Sequence, residues 1–430
     1  MSLIKLPAGK SRPQVLLSPV RRIRQVATRE RVCSILLTDG PCALPASPDI
    51  FRGKPLTLVL AETLEHYGAR GTFCVMGTTE ENYPDKPGKA GTAGWNGTKW
   101  DHWPDFGQDK QGGAANCPQL MQRLLAGGHE IASHGYTHRP FGGRGGLRDL
   151  DEVVTDLRRL HSTVAERWGY PIRLAQPPND VDEIRGGFTS FDAFAFMGYQ
   201  YLDCAYDGGC RDSLGSYQAE VEASWRPMEQ ILLEDPEGFC GKIISLRDGR
   251  NAAHRTPSAE ALDRQLRLLR DHGYRVIPAS ELLERSAFAD VLPDAPEAAA
   301  ARRLLARGWC PAYQDGALRP GAPLLRGELA MMAFGMESVK RRIRLMEKGR
   351  APFRDMGPRS LYAAAAQMAW ESGSMSAENG RFRPNDPVTA QELQTFCSTR
   401  LGTPAPESLR DNITHGEFFL LASQLLNENH

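Results

Sequence analysis

The sequence predicts an α/β domain, arranged as a parallel sheet or an α/β barrel, followed by an all-helical module of internal repeats. Three observations lead there. Apolar runs of strand length alternate with helical patterns from the N-terminal region to about Arg285, as in strands joined by crossover helices. Near Ser286 the texture changes, and segments begin to repeat. The chain also has 430 residues, too many for one ordinary hydrophobic core.

The first strand is "SILLTDGPC", Ser34 to Cys42. Ile35, Leu36 and Leu37 run into Thr38, Asp39 and Gly40, so a buried strand ends in a turn with one carboxylate at its mouth. In the next stretch, Leu58 to Tyr67 reads as a helix closed by Gly68, and "GTFCVMG" reads as a buried strand. An insert from Thr78 to Asn116 carries Trp95, Trp100 and Trp103. Those rings suit a sugar-stacking platform or a loop packed by its own aromatics. The insert's length favours a lid or another function.

Helix "CPQLMQRLLAGG" and strand "HEIAS" follow. A longer helix places Leu150, Val154, Leu157, His161, Val164 and Trp168 on one apolar face. "GKIISLRDG" reads as a strand, "SAEALDRQLRLLRDHGY" as a helix and "RVIPAS" as a strand. In such folds the loops at the C-terminal strand ends carry the chemistry.

Beyond Ser286, Phe288 matches Phe353, Asp290 matches Asp355, and Gly308 matches Gly373. Pro320 matches Pro384, and Glu328 matches Glu392. The period is roughly 64 residues, helical with short loops. "NITHGEFFLL" reads as a third, shortened copy with Glu417 in the place of Glu328.

Basic and acidic residues balance at 52 each, so no electrostatic argument favours nucleic acid or an anionic membrane. No apolar run reaches the roughly 18 residues of a membrane span. The basic N-terminus lacks the apolar stretch of a secretory signal. The nine cysteines show no CxxC pair, and an odd, scattered set suits reduced thiols in a cytosolic setting.

The sharpest chemical signal is "GHEIASHGYTH". His134 and His138 lie four apart just past a strand, a spacing that on a turn of helix puts both imidazoles on one side. With Asp39 they make a His-His-carboxylate set. Three protein ligands and an open position for water are what a catalytic Zn²⁺ needs. His129, in "GHE", reads as a packing or supporting residue. "GGRGGLRDL" lacks the Lys-Ser/Thr of a P-loop and reads as a flexible loop.

Residues 18–285 resemble the polysaccharide deacetylase domain (NodB homology, carbohydrate esterase family 4). "ILLTDGP" stands where that family has TFDDGP, and "AGGHEIASHGYTH" is similar to its GHEIGNHTxSH. "LAQPPND" stands at FRPPYG, "IISLRDG" at the LLHD strand, and "HGYRVIPASELL" at GYxFVxxxEL. The resemblance implies an irregular (β/α) barrel and metal-assisted hydrolysis of N- or O-acetyl groups on carbohydrate. It implies Asp39, His134 and His138 as ligands of a divalent metal, Zn²⁺ first and Co²⁺ second.

The same resemblance exposes departures. Its catalytic base falls on Thr38, its base-orienting arginine on Gln176 and its general-acid histidine on Arg247. The tyrosine whose backbone N–H helps hold the oxyanion falls on Asn179, and a backbone role survives that change. A threonine takes no proton near neutral pH, and an arginine gives none. Asp203, Asp207 and His254 are the candidates to replace the missing proton carriers. Two readings follow: a metal-dependent deacetylase-like hydrolase, or a catalytically degenerate relative that binds carbohydrate or a protein partner.

The C-terminal repeats resemble S-layer homology (SLH) domains through "FADV", "DGALRP" and "LLRGEL" and their counterparts "FRDM", "NGRFRP" and "VTAQEL". That resemblance implies a helical spindle that holds an anionic cell-wall polymer through an ITRAE arginine, here kept only at Arg326, with Ala390 and His415 at the other two places. The expected division is 1–17 as an N-terminal segment, 18–285 as the deacetylase-like domain with its insert at 78–116, and 286–430 as SLH-like repeats. The absent signal points to the cytoplasm; the SLH resemblance points to the cell wall.

Overall fold

The computed structural model describes residues 15–81, 110–143, 146–180 and 182–428. Its strands are β1 (Arg22–Ile23), β2 (Val32–Gly40), β3 (Thr72–Val75), β4 (Glu130–Ser133), β5 (Leu174–Ala175), β6 (Glu183–Ile184), β7 (Phe188–Thr189), β8 (Gln200–Leu202), β9 (Tyr206–Asp207), β10 (Ile243–Arg247) and β11 (Arg275–Val276). The helices of the same region are α1 (Leu56–His66), α2 (Pro118–Ala126), α3 (Leu150–Trp168), α4 (Ser190–Met197), α5 (Tyr217–Glu234), α6 (Ser258–Asp271) and α7 (Ala279–Arg285). The C-terminal module holds α8 (Pro296–Ala306), α9 (Arg326–Lys348), α10 (Ala363–Glu371), α11 (Ala390–Phe396) and α12 (His415–Glu428).

The main sheet is parallel, in the order β1-β8-β5-β4-β3-β2-β10-β9, with β11 added to the start of β2. β6 and β7 form a separate antiparallel pair. β2 is the axis of the sheet, and all nine of its residues are buried, as a strand covered on both faces requires. The sheet curls until the chain after β1 reaches the start of β10: the Ile243 N–H donates to the Arg24 carbonyl at 2.9 Å, and Gln25 bridges Lys242. The result is an irregular, incompletely closed barrel with helices outside.

The strong apolar periods mark real elements, with shifted ends. α1 begins at Leu56, directly after Pro55. "RVIPAS" yields only a two-residue strand, because Pro278 ends it and opens α7. The sequence pattern missed α4, whose short "SFDAFAFM" is mostly apolar and shows no clear helical stripe, and α5, which carries Pro227 inside. Trp95, Trp100 and Trp103 of the insert lie outside the described residues.

Buried apolar residues fall into clusters that separate barrel from helices. Cys33, Ile35, Leu37, Leu60, Phe73 and Ile131 belong to one; Phe288, Leu304, Leu329, Phe396 and Phe418 belong to another. Leu17 joins the helical cluster, and the Arg22 N–H donates to the Gln314 carbonyl at 2.7 Å. The segment ahead of β1 is thus sewn to the helical module. On the other side, Arg342 of α9 donates to Asp192 of α4 at 2.7 Å, with both side chains buried or nearly so.

Matching repeat positions do matching work. Asp290 accepts the N–H groups of Leu318 and Arg319 at 2.7 and 2.8 Å, and Asp355 accepts those of Phe382 and Arg383 at 3.0 and 2.7 Å. Glu328, Glu392 and Glu417 each accept the N–H three residues upstream, at the start of α9, α11 and α12. The expected polymer contact at Arg326 is corrected by its burial. The side chain is 1% exposed, pairs with Glu392 of the second repeat, and donates to the Ser376 and Phe382 carbonyls at 2.6 and 2.9 Å. His415 makes the equivalent link from the third copy to the first, with Nε2 3.0 Å from Glu328 Oε2. Motif position does not reveal which way a side chain points; here it points inward. Among the described residues no helix is long and apolar enough to cross a membrane, and no disulfide joins the nine cysteines.

Arg326→Ala removes three hydrogen bonds and leaves Glu392, whose side chain is 14% exposed, with Arg383 at 3.3 Å as its remaining cation. The expected cost is about 2 kcal/mol in chemical denaturation followed by far-UV circular dichroism, from the two carbonyls left without a donor and the lost packing. A loss below about 0.5 kcal/mol shows that the arginine is not a lock between repeats.

Candidate metal centre

Asp39 is set by a fault in the sheet. Thr38 pairs with Cys74 and Gly40 with Val75, so Asp39 is the extra residue of a bulge between β2 and β3. Its φ is +76°, a region that a residue with a Cβ enters only at a cost of about 1–3 kcal/mol. The bulge turns the carboxylate from the barrel wall into the mouth. Gly40 is required there, since a Cβ would stand 2.0 Å from Asp248 Oδ2.

His134 follows β4 directly, and His138 sits at φ +57° in the loop beyond. No helical turn carries the pair; the loop doubles back instead. Asp156 of α3 holds that loop, accepting the Tyr136 N–H at 2.6 Å, the Thr137 N–H at 3.1 Å and the Thr137 hydroxyl at 2.7 Å. Burial raises the pKa of the Asp156 carboxyl, against the pull of these donors.

Ligand atoms of Asp39, His134 and His138 lie within 4.8 Å of one another, and all three residues are buried. His134 Nε2 is 3.1 Å from Asp39 Oδ1, and its Nδ1 is 3.0 Å from the Gln176 carbonyl oxygen. A carbonyl only accepts, so Nδ1 carries the proton and Nε2 is the nitrogen presented to a cation. His138 Nε2 stands 3.4 Å from Asp39 Oδ1 without the alignment of a hydrogen bond, and both its ring nitrogens are buried with no hydrogen-bond partner. Buried polar atoms are nearly always partnered, so an orphaned imidazole beside a carboxylate fits a cation ligand.

Arg247 ends β10 beside Thr38 and donates from Nε to Asp39 Oδ2. Burial would raise the Asp39 pKa, but the guanidinium and the two imidazoles hold it well below the usual carboxylate range. Burial opposes charge on His134 too, yet Cys74 and Asp39 push its pKa up to about 10, whereas burial carries His138 downward. A cation entering the site displaces the His134 proton.

The other sequence candidates scatter. Asp203 accepts from Arg24 and from the Cys204 N–H, both at 2.7 Å, and Asp207 pairs with Arg211 at 3.3 Å. Each carboxylate is thus engaged by an arginine, and neither is drawn into the Asp39, His134 and His138 cluster. His254 lies at φ +62° in the loop after β10. Asn179 is exposed at φ +57° at the apex of a turn closed by the Asp180 N–H on the Pro177 carbonyl at 3.3 Å. Gln176 is buried, and its Nε2 donates to Asp180 Oδ1 at 3.1 Å. His129 braces the α2–β4 turn, its Nδ1 accepting the Gly71 N–H at 3.2 Å.

Sequence reading missed three residues here. Asp156 was hidden among the polar positions of α3. Asp180 sat in a motif position that the family fills with glycine. Asp248, next to Arg247, is fully buried; Thr57 donates to its Oδ2 at 2.6 Å, and its Oδ1 has no partner. Burial, aided by the Asp39 charge, pushes its pKa up to about 8.

The polysaccharide deacetylase family model matches residues 26–181. The chitooligosaccharide deacetylase of Sinorhizobium fredii is 30% identical over 171 residues, covering 37% of this chain and 70% of that protein. The chitin deacetylase of Colletotrichum lindemuthianum is a structure of 16% identity covering 65% of this chain and 94% of that one, at a TM-score of 0.42. A family-4 pseudoenzyme from Bacillus anthracis is 15% identical, covering 62% and 70%, at a TM-score of 0.38.

Two variants probe the centre. Asp156→Ala frees the loop between the histidines, and Zn²⁺ affinity by calorimetry is expected to fall about 10–100-fold; parent-like affinity shows that the loop holds itself. Asp248 keeps its proton in the fold at pH values where the unfolded chain has lost it. Stability is therefore lost as pH rises from the ordinary carboxylate range through about 8. Asp248→Asn removes that loss, so its unfolding midpoint is expected to overtake the parent's between about pH 5 and about pH 9. Parallel curves for the two proteins exclude the protonated carboxyl.

Proposed function

This chain belongs to the polysaccharide deacetylase family, and from that membership we propose a metal-dependent hydrolase that removes acetyl groups from carbohydrate. The observation that carries the proposal is the convergence of Asp39, His134 and His138, with both His138 ring nitrogens buried and unpartnered. These residues would hold a divalent cation, Zn²⁺ first and Co²⁺ second, through one carboxylate oxygen and two imidazoles. When bound, the cation supplies Lewis-acid polarisation of a carbonyl and a lowered pKa for water.

The rest is done by the chain. The Gln176 carbonyl fixes the His134 tautomer, a task that its side chain does not touch. Arg247 keeps Asp39 ionised and brings a permanent positive charge to the site, suited to a developing oxyanion. The Asn179 N–H, at the turn apex, is the proposed second oxyanion donor. The name of the Sinorhizobium relative makes chitooligosaccharides the first substrates to try.

Thr38 favours a second reading, carbohydrate binding without hydrolysis, since a hydroxyl does not serve as the base at neutral pH. For the C-terminal module we propose SLH-type repeats, divided from the barrel near Ser286. Polymer contact would then fall to its exposed faces rather than to Arg326.

Acetate release from acetylated chitooligosaccharides and acetylxylan, with Zn²⁺- or Co²⁺-loaded protein, decides between the readings. Acetate above a His134→Ala control is expected. No acetate from parent protein that holds stoichiometric metal, together with retained saccharide binding, selects the binding reading.

A further inference from the structure

The site keeps its metal-binding set but lacks a proton acceptor at position 38. Besides Asp39 and Asp156, which holds the loop between the histidines, four carboxylates stand at or after strand ends, and three of them are engaged elsewhere. Asp203 is held by Arg24 and Asp207 by Arg211. Asp248 is sealed beneath Gly40 and bonded to Thr57. The fourth is Asp180.

We propose that Asp180 is the general base of this enzyme, moved from the end of β2 to the loop after β5 and oriented by Gln176. The inference rests on the deacetylase reading above. Gln176 occupies the place of the family's base-orienting arginine, and its Nε2 donates to Asp180 Oδ1 at 3.1 Å. Its backbone carbonyl meanwhile holds His134 Nδ1 at 3.0 Å. One residue therefore ties the carboxylate to a metal ligand. Asn179 and Asp180 take consecutive left-handed conformations, φ +57° and +54°. Asn and Asp are the side chains that tolerate that region best, so the turn sets the Asp180 carboxylate beside Gln176. Asp180 is exposed to solvent, and its charge is felt by His134 of the candidate metal set.

The groups around its carboxyl are Asp203, Arg211, His134 and Gln176. Desolvation and the Asp203 charge raise its pKa, while the other three oppose the rise. A carboxylate displaced upward from its ordinary range suits a base working near neutral pH. The proton balance also closes. Water loses a proton to Asp180 as its oxygen bonds to the acetyl carbon, and the same proton passes to the nitrogen or oxygen that departs when the acetyl bond breaks. One carboxylate acts as acceptor and then donor, which Arg247 does not do.

The test compares Asp180→Asn with the parent, both Zn²⁺-loaded, for acetate release from chitooligosaccharide across pH, and reads Zn²⁺ affinity separately by calorimetry. The expected result is a kcat lowered about 10²–10⁴-fold and loss of the acid limb of the pH profile. Zn²⁺ affinity is expected to stay within about threefold of the parent, because Asp180 is not a ligand. An active parent with an equally active variant and an unchanged acid limb overturns this inference and leaves the deacetylase reading standing. Zn²⁺ affinity weakened more than about tenfold makes Asp180 part of the metal shell instead. A metal-loaded parent that releases no acetate overturns both.

Discussion

The Asp39 carboxylate is an ionised group 5% exposed, held in a left-handed bulge at the end of the central strand. Burying a charge is costly unless partners surround it. The fold supplies those partners by register. β10 runs beside β2 with Arg247 opposite Thr38, which brings the guanidinium to Asp39. β4 lies beyond β3, and its end delivers His134. A one-residue slip of β10 would present Leu246 or Asp248 instead of Arg247, leaving the carboxylate without its strongest neighbour. The long apolar register between β2 and β10 thus does electrostatic work as well as packing.

That arrangement carries its own tension. Arg247 engages Asp39 Oδ2, leaving Oδ1 to the two imidazoles and to any cation they share. A guanidinium beside a divalent cation is repulsive, so the arginine weakens metal binding while it keeps the carboxylate ionised. A histidine at this position could shed its charge when metal enters; an arginine does not. The site is therefore tuned toward a fixed positive charge near the substrate, which suits stabilising negative charge more than moving protons.

Sequence patterns revealed what periodicity encodes. β2, α3 and the HxxxH pair were legible because apolar runs and spacing mark them directly. The two- and three-residue strands β1, β5, β8, β9 and β11 were not, since so few residues carry no period. Within the site, the grouping of Asp39, His134 and His138 was legible and its support was not. Asp156 looks like any polar residue on the outer side of a helix until the loop it holds is placed against it. Arg326 shows the same limit in the helical module. Its motif position pointed to an exposed contact, whereas the fold turns it onto Glu392. Motif residues were written in the chain; their supports, and which way each faces, depended on tertiary packing.

Charge counting joins the replacements at the site into one change. With imidazoles neutral, the family's set implied by resemblance holds two aspartates and one arginine, a single net negative charge before metal enters. In this chain Thr38 removes one aspartate, and the arginine moves from position 176 to position 247, so the corresponding set sums to zero. Including Asp180 restores the single negative charge, and Gln176 is left as a neutral donor to it. The same carboxylate that would accept a proton thus also restores the formal charge of the set, while standing outside the Asp39, His134 and His138 cluster. The changes at 38, 176, 180 and 247 then form a single rearrangement of charge around an unchanged Asp39, His134 and His138.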